Sequence, residues 1–153
     1  MSALAQALTL NCWLVAAQTT GLPPSLLYAV SEVESSRRPH AVAKAPNGTY
    51  SVGMMQINSS WFPRLLTVGI RPADLLRPCT NIQVGSWILA GEVNRYGYTW
   101  EAIGAYYAGP YDARSERWKH RQYREYAQKV FQAWRRIESR RERVSVDRGA
   151  GVP

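Results

Sequence analysis

The chain has 153 residues, enough for one domain with a real core plus a terminal extension, and no apolar run approaches the roughly 20 residues that a membrane-spanning helix needs. The net charge of +8 is uneven: residues 1–112 carry seven Lys/Arg against six Asp/Glu, whereas residues 113–153 carry twelve against five, so the basic character belongs to the C-terminal portion. The two cysteines and two histidines lie in no metal-type spacing, and neither a metal nor another cofactor is expected.

In chain order the pattern is helical almost throughout, with no clean period-2 strand, which predicts a mainly α fold. Residues near 4–19 are apolar at helical spacing and end at Gly21, a C-cap residue. Ala3-Leu4-Ala5 and Ala5-Gln6-Ala7 have the small-x-small form of a signal-peptidase site, but no basic stretch or full apolar region precedes them, so residues 1–10 read as an N-terminal segment left from a signal region. Pro23-Pro24 opens a second helix that Ser35-Ser36-Arg37-Arg38-Pro39 stops. Residues near 40–52 form an irregular loop or a short hairpin around Asn47-Gly48. Trp61-Phe62-Pro63 breaks the segment that follows, and a short helix near 72–77 follows Pro72. Helices are expected over 80–96, ending at Gly97, and over 100–108, ending at Gly109-Pro110. A long amphipathic helix or pair runs from about Ser115 to Arg143. Tyr123, Tyr126, Val130, Phe131, Trp134 and Ile137 form its packing face, its arginines are solvated, and the tail after Val144 reads as disordered.

Wound at about 100° per residue, the second helix places Leu26, Leu27, Val30, Val33 and Glu34 on one stripe, with Glu32 on the opposite side. Two readings of Glu34 follow from the pattern. It is either half-exposed at a frayed helix end and paired with Arg37 or Arg38, or an acid whose apolar surroundings and position at the negative end of the helix dipole raise its pKa. A carboxylic acid still protonated near neutral pH is what a glycosidic leaving group needs. Six Trp and nine Tyr against two Phe suit a wet groove, although an ordinary core also uses such rings, and Trp61, Trp87 and Trp100 read as packing residues.

Four ordered pieces are more specific: Glu34-Ser35, Gly53-Met54-Met55-Gln56-Ile57-Asn58, Pro78-Cys79-Thr80-Asn81-Ile82 and Ala105-Tyr106-Tyr107-Ala108-Gly109. With them the chain, over about residues 11–131, resembles the lytic transglycosylase family with a goose-lysozyme-like catalytic domain. The resemblance is closer to its small branch accessory to conjugative type IV and type III secretion systems and type IV pili. It implies a lysozyme-like catalytic domain over 11–137 followed by a basic, partly disordered tail over 138–153. Cys12 and Cys79 match the cysteines that this branch joins, which implies a disulfide and a periplasmic, exported protein.

Carried over by position, the resemblance makes Glu34 the catalytic acid and puts Ser35, Thr49, Gly53, Met55, Gln56, Tyr106 and Tyr107 at the substrate. Met54 replaces the usual Leu, a swap that preserves volume. Tyr107 replaces the usual Asn, an amide becoming a ring, and Tyr106 is expected to donate its hydroxyl near Glu34. The implied reaction cleaves the β-1,4 bond between N-acetylmuramic acid and N-acetylglucosamine in peptidoglycan glycan strands. The muramyl C6 hydroxyl attacks C1 to leave a 1,6-anhydro product, which locally opens the wall for an envelope machine. Two alternatives stay open: a muramidase using water on the same bond, and a catalytically weak glycan-binding assembly factor. Secretion or conjugation proteins are expected at the basic C-terminal region, and nucleic acid is not expected.

Overall fold

The computed structural model describes the backbone of residues 3–109 and 117–149, and the side chains of residues 10–109 and 120–143. Six α-helices are described: α1 (Ala3–Thr20), α2 (Pro24–Ser35), α3 (Phe62–Leu66), α4 (Pro78–Tyr96), α5 (Trp100–Ala108) and α6 (Arg117–Gly149). A small antiparallel sheet of β1 (Val42–Lys44), β2 (Tyr50–Val52) and β3 (Ile57–Asn58) lies between α2 and α3 in the chain. Proline stands in the first turn of α2, α3, α4 and the 3-10 turn Pro72–Leu76, where its missing N–H costs nothing.

The expected hairpin forms, with Val42 opposite Val52 and Lys44 opposite Tyr50, around the turn at Asn47-Gly48. β3 adds a strand that the sequence did not suggest, pairing Ser51 with Asn58 and Val52 with Ile57; two residues are too few for a period to be visible. At Trp61-Phe62-Pro63, where the preceding segment was expected to break, α3 begins, with Pro63 in its first turn.

α1 runs from Ala3 through residue 10 to Thr20 without interruption. α6 continues through 138 and Val144 to Gly149 as one helix, where a partly disordered tail was expected. Helix-forming Arg and Glu dominate that stretch, and Arg141 pairs with Glu138 one turn back at 3.3 Å. Residues 150–153 lie outside the described residues.

α2 is the centre of the core: Leu26, Leu27, Ala29 and Val30 are each at most 1% exposed. α1 packs on α4, and the Cys12–Cys79 disulfide joins them with a Cα separation of 5.2 Å. α6 covers α2 and α5 with buried Tyr123, Tyr126, Ala127, Val130 and Ala133, and Trp134 donates its indole N–H to the Ser25 hydroxyl at 2.9 Å. Close approach of α5 to α6 depends on Gly104, where a Cβ would fall 2.5 Å from the Tyr123 ring.

One buried polar side chain organises the segment that faces the end of α2. Asn81 on α4 is fully buried. Its amide donates to the carbonyls of Val52 and Leu75, both at 2.9 Å, and accepts from the Met55 N–H at 2.7 Å. From the other side, Ser31 and Ser35 of α2 donate to the Met54 carbonyl at 3.1 and 2.7 Å. The turn 53–56 is thereby held between α4 and α2. Gly53 has φ +80, and a Cβ there would lie 2.1 Å from the Asn81 amide nitrogen, so no other residue fits.

Two stability predictions follow. Asn81→Ala strands one buried N–H and two carbonyls, and urea denaturation is expected to show a loss of about 2–4 kcal/mol. Replacing Cys12 and Cys79 by Ala opens a loop of 67 residues and is expected to cost about 4 kcal/mol in the same measurement; thiol titration of the denatured, unreduced wild type should find no free Cys12 or Cys79.

Candidate active site

Glu34 lies in the last turn of α2, which ends where Ser36 (φ 52) and Arg37 (φ 60) enter the left-handed region. Its side chain is half-buried against α6, and the Tyr126 hydroxyl donates to Oε1 at 2.5 Å. No ion pair involves Glu34 among the described residues. Arg37 instead pairs with Glu32 at 2.9 Å, bonds the Tyr28 hydroxyl and lies over that ring, while Arg38 Nε donates to the Ser35 carbonyl at 2.9 Å. The salt-bridged helix end is therefore not what forms: both arginines have other partners.

Loss of water around the carboxyl raises the Glu34 pKa from 4.5 to about 7, outweighing the Tyr126 hydrogen bond, which stabilises the carboxylate and lowers it. The same burial, with the Glu34 charge adding to it, pushes the Tyr126 and Tyr106 hydroxyls well above their ordinary value. Both phenols therefore keep their protons and act as donors.

Tyr106 does not bond Glu34 as expected. Its hydroxyl proton goes to the Met55 carbonyl at 2.6 Å, linking α5 to the turn 53–56, and the donor to Glu34 is Tyr126. Tyr107, 56% exposed, stacks on the Tyr126 ring with centroids 4.8 Å apart and planes at 11°.

Other residues expected at the substrate divide by burial. Ser35 is buried, and its hydroxyl donates to the Met54 carbonyl and accepts from the N–H of Arg38, so it fixes the turn. Met55 is fully buried against α4, in van der Waals reach of Gly85, so its side chain is core and only its carbonyl takes part in the cluster. Gly53 is buried under Asn81. Gln56, with φ +48, is partly exposed and donates its side-chain amide to the Ala41 and Gly53 carbonyls at 3.2 and 2.9 Å. Thr49 sits beside the hairpin turn, its hydroxyl donating to Asn47 Oδ1 at 2.7 Å and accepting from Asn58 Nδ2 at 3.1 Å.

Tyr126 and Asn81 are the residues the sequence did not single out. Tyr126 fell on the apolar stripe of α6 and read as packing; the signal available was its phenol, a polar group on a face of mostly apolar residues. Among the described residues, no group of three His, Cys, Asp or Glu side chains converges where a metal could bind. The arrangement can deliver a proton from Glu34 to a bound leaving group and take one back, with Tyr126 holding the carboxyl in one orientation.

Comparison with known proteins agrees with this geometry. Residues 11–131 match the transglycosylase SLT domain. The invasion protein IagB of Salmonella typhimurium is 37% identical over 142 residues, covering 89% of this chain and 86% of its own. The X polypeptide of Escherichia coli is 38% identical over 130 residues (84% of this chain, 75% of its own), and protein IpgF of Shigella flexneri is 34% identical over 129 residues (83% and 81%). Among solved structures, an inactive mutant of lytic transglycosylase Slt from Pseudomonas aeruginosa superposes with a TM-score of 0.69 at 20% identity; the match covers 86% of this chain and 24% of that one, a likeness of fold. The chain belongs to the transglycosylase SLT domain family, and is a lytic transglycosylase with a mainly α, lysozyme-like fold.

Proposed function

We propose that Glu34 cleaves the β-1,4 bond between N-acetylmuramic acid and N-acetylglucosamine in peptidoglycan, acting first as acid and then as base. The observation that carries this reading is a partly buried carboxyl with a pKa near 7, hydrogen-bonded by Tyr126 and paired with no cation among the described residues. Protonated, it donates to the glycosidic oxygen; as carboxylate it takes the proton from the muramyl C6 hydroxyl as that oxygen closes on C1, giving the 1,6-anhydro sugar. The role switch is the one retaining glycosidases use, and the intramolecular nucleophile removes the need for a second carboxylate. Gln56, through its side-chain oxygen, and Thr49 are proposed to meet the glycan from the sheet side.

The disulfide supports an exported protein in the periplasm. The relative's designation as an invasion protein supports a role in opening the wall for an envelope machine. Arg135, Arg136, Arg140 and Arg143, along one side of α6, supply a basic surface for its components.

Mass spectrometry of muropeptides released by the wild type is expected to show anhydro ends; reducing ends would point to hydrolysis, and no release to an assembly role. Glu34→Gln is expected to lose about 10²–10⁴-fold in rate. Activity should fall as pH rises through about 7, where Glu34 loses the proton that the first step needs. Stability should follow the same group. Its folded pKa lies above its unfolded value, so ionisation on raising the pH from 4.5 to 7 costs stability in that window. Glu34→Gln should therefore be more stable than wild type by up to about 3 kcal/mol above pH 7 and equal to it below pH 4.5, read by thermal melts across pH.

A further inference from the structure

We infer that Tyr107 is a positioning residue that acts on Glu34 through Tyr126, in place of the amide that the resemblance leads one to expect at this position. The inference rests on the reading of Glu34 as the acid. Tyr107 is more than half exposed, so burial of its own ring does not account for where it lies. It lies nearly parallel to Tyr126, 4.8 Å between centroids and 11° between planes, an offset stack of the kind aromatic quadrupoles favour. Tyr126 is only 5% exposed, and its hydroxyl ends on Glu34 Oε1. A flat ring laid on Tyr126 opposes rocking of that side chain and keeps water from its face. An asparagine there could bond a substrate or a neighbour but could not stack over a whole ring.

A direct contact with glycan is the competing role for Tyr107, and the two differ in what they change. A glycan contact acts on substrate affinity. A stack on Tyr126 acts on the orientation and hydration of Glu34, hence on turnover and its pH profile. Among the described residues the titratable groups that act on Glu34 are Tyr106 from α5 and Tyr126 from α6; both phenols stay protonated across the working range, so of these groups Glu34 sets the limb near pH 7. Opening the face of Tyr126 admits water toward the carboxyl. Desolvation is the largest cause of the raised pKa, so the limb then moves to lower pH.

Tyr107→Asn tests this on purified peptidoglycan fragments of fixed length. The expected result is a kcat lower by about two- to tenfold, the range that loss of one aromatic pair corresponds to, a KM within about twofold, and an alkaline limb displaced downward. Tyr107→Phe, which keeps the ring, is expected to regain most of the lost turnover and the original limb. The Glu34 carboxyl, titrated directly by carbon-13 NMR, should move in the same direction as the limb, which gives a readout independent of turnover. A rise in KM with kcat and limb unchanged would assign Tyr107 to the glycan instead, and failure of Tyr107→Phe to recover would place its role in the hydroxyl; either overturns the inference. Glu34→Gln, run alongside, separates the two claims: if it stays active the reading of Glu34 fails, whereas an inactive Glu34→Gln beside an unaffected Tyr107→Asn defeats the Tyr107 inference alone.

Discussion

The hydrogen bond from Tyr126 to Glu34 joins residues 92 apart in sequence, and the rest of the molecule can be understood as the means of keeping it. A carboxyl withdrawn from water is costly unless something donates to it. The donor comes from α6, which must be packed along α2 with its register correct to within a fraction of a turn. That packing is fixed by Val130 and Ala133 in the core, by Trp134 on Ser25 near the start of α2, and by Gly104, which lets α5 come close to Tyr123. The opposing effects on Glu34 are then set by structure. Burial raises its pKa and the phenol lowers it, and the balance falls near neutrality, where an acid can also serve as a base.

The other wall of the cluster is polar in its interior although apolar in its composition. Asn81, Ser31 and Ser35 are buried, and each bonds the segment 52–55, Asn81 also holding its support at Leu75 and Ser35 also accepting from the Arg38 N–H. Backbone held by side chains from two helices cannot drift as a surface loop does, so the Met55 carbonyl is a fixed acceptor for Tyr106. Removing any of these groups leaves its partners buried and unsatisfied, which explains why short polar residues occupy positions that the helical pattern would allow to be apolar. Ser35 and Asn81 matter to chemistry through this indirect route.

Helices were legible because their signals are local: proline in first turns, glycine at ends, and an apolar stripe on α2 that included Glu34 itself. The hairpin was legible from Asn47-Gly48. What the sequence left open was long-range. Whether Glu34 meets Arg37 or a phenol depends on where Arg37 finds Glu32 and Tyr28, and on a helix that begins some eighty residues later. The motifs marked the neighbourhood of the site but not the direction of each side chain. Ser35 and Met55, expected at the glycan, turn inward, and the proton expected from Tyr106 comes from Tyr126, which periodicity had assigned to packing. It does pack; a tyrosine on a buried stripe can do that with its ring and still carry a polar contact at its tip.

α6 also couples two parts of the proposed function in one element. Its face up to Ile137 lies against the domain, so the helix leaves the core only after that point. The arginines at 135, 136, 140 and 143 line a side that no described element covers closely. At about 1.5 Å rise per residue, Arg143 stands about 25 Å along the helix from Tyr126. A component bound to the basic end would therefore stand clear of Glu34, with no hinge between the two in the described helix. A flexible tail would have tethered the enzyme without orienting it. A continuous helix fixes the direction in which Glu34 faces relative to whatever its basic end holds.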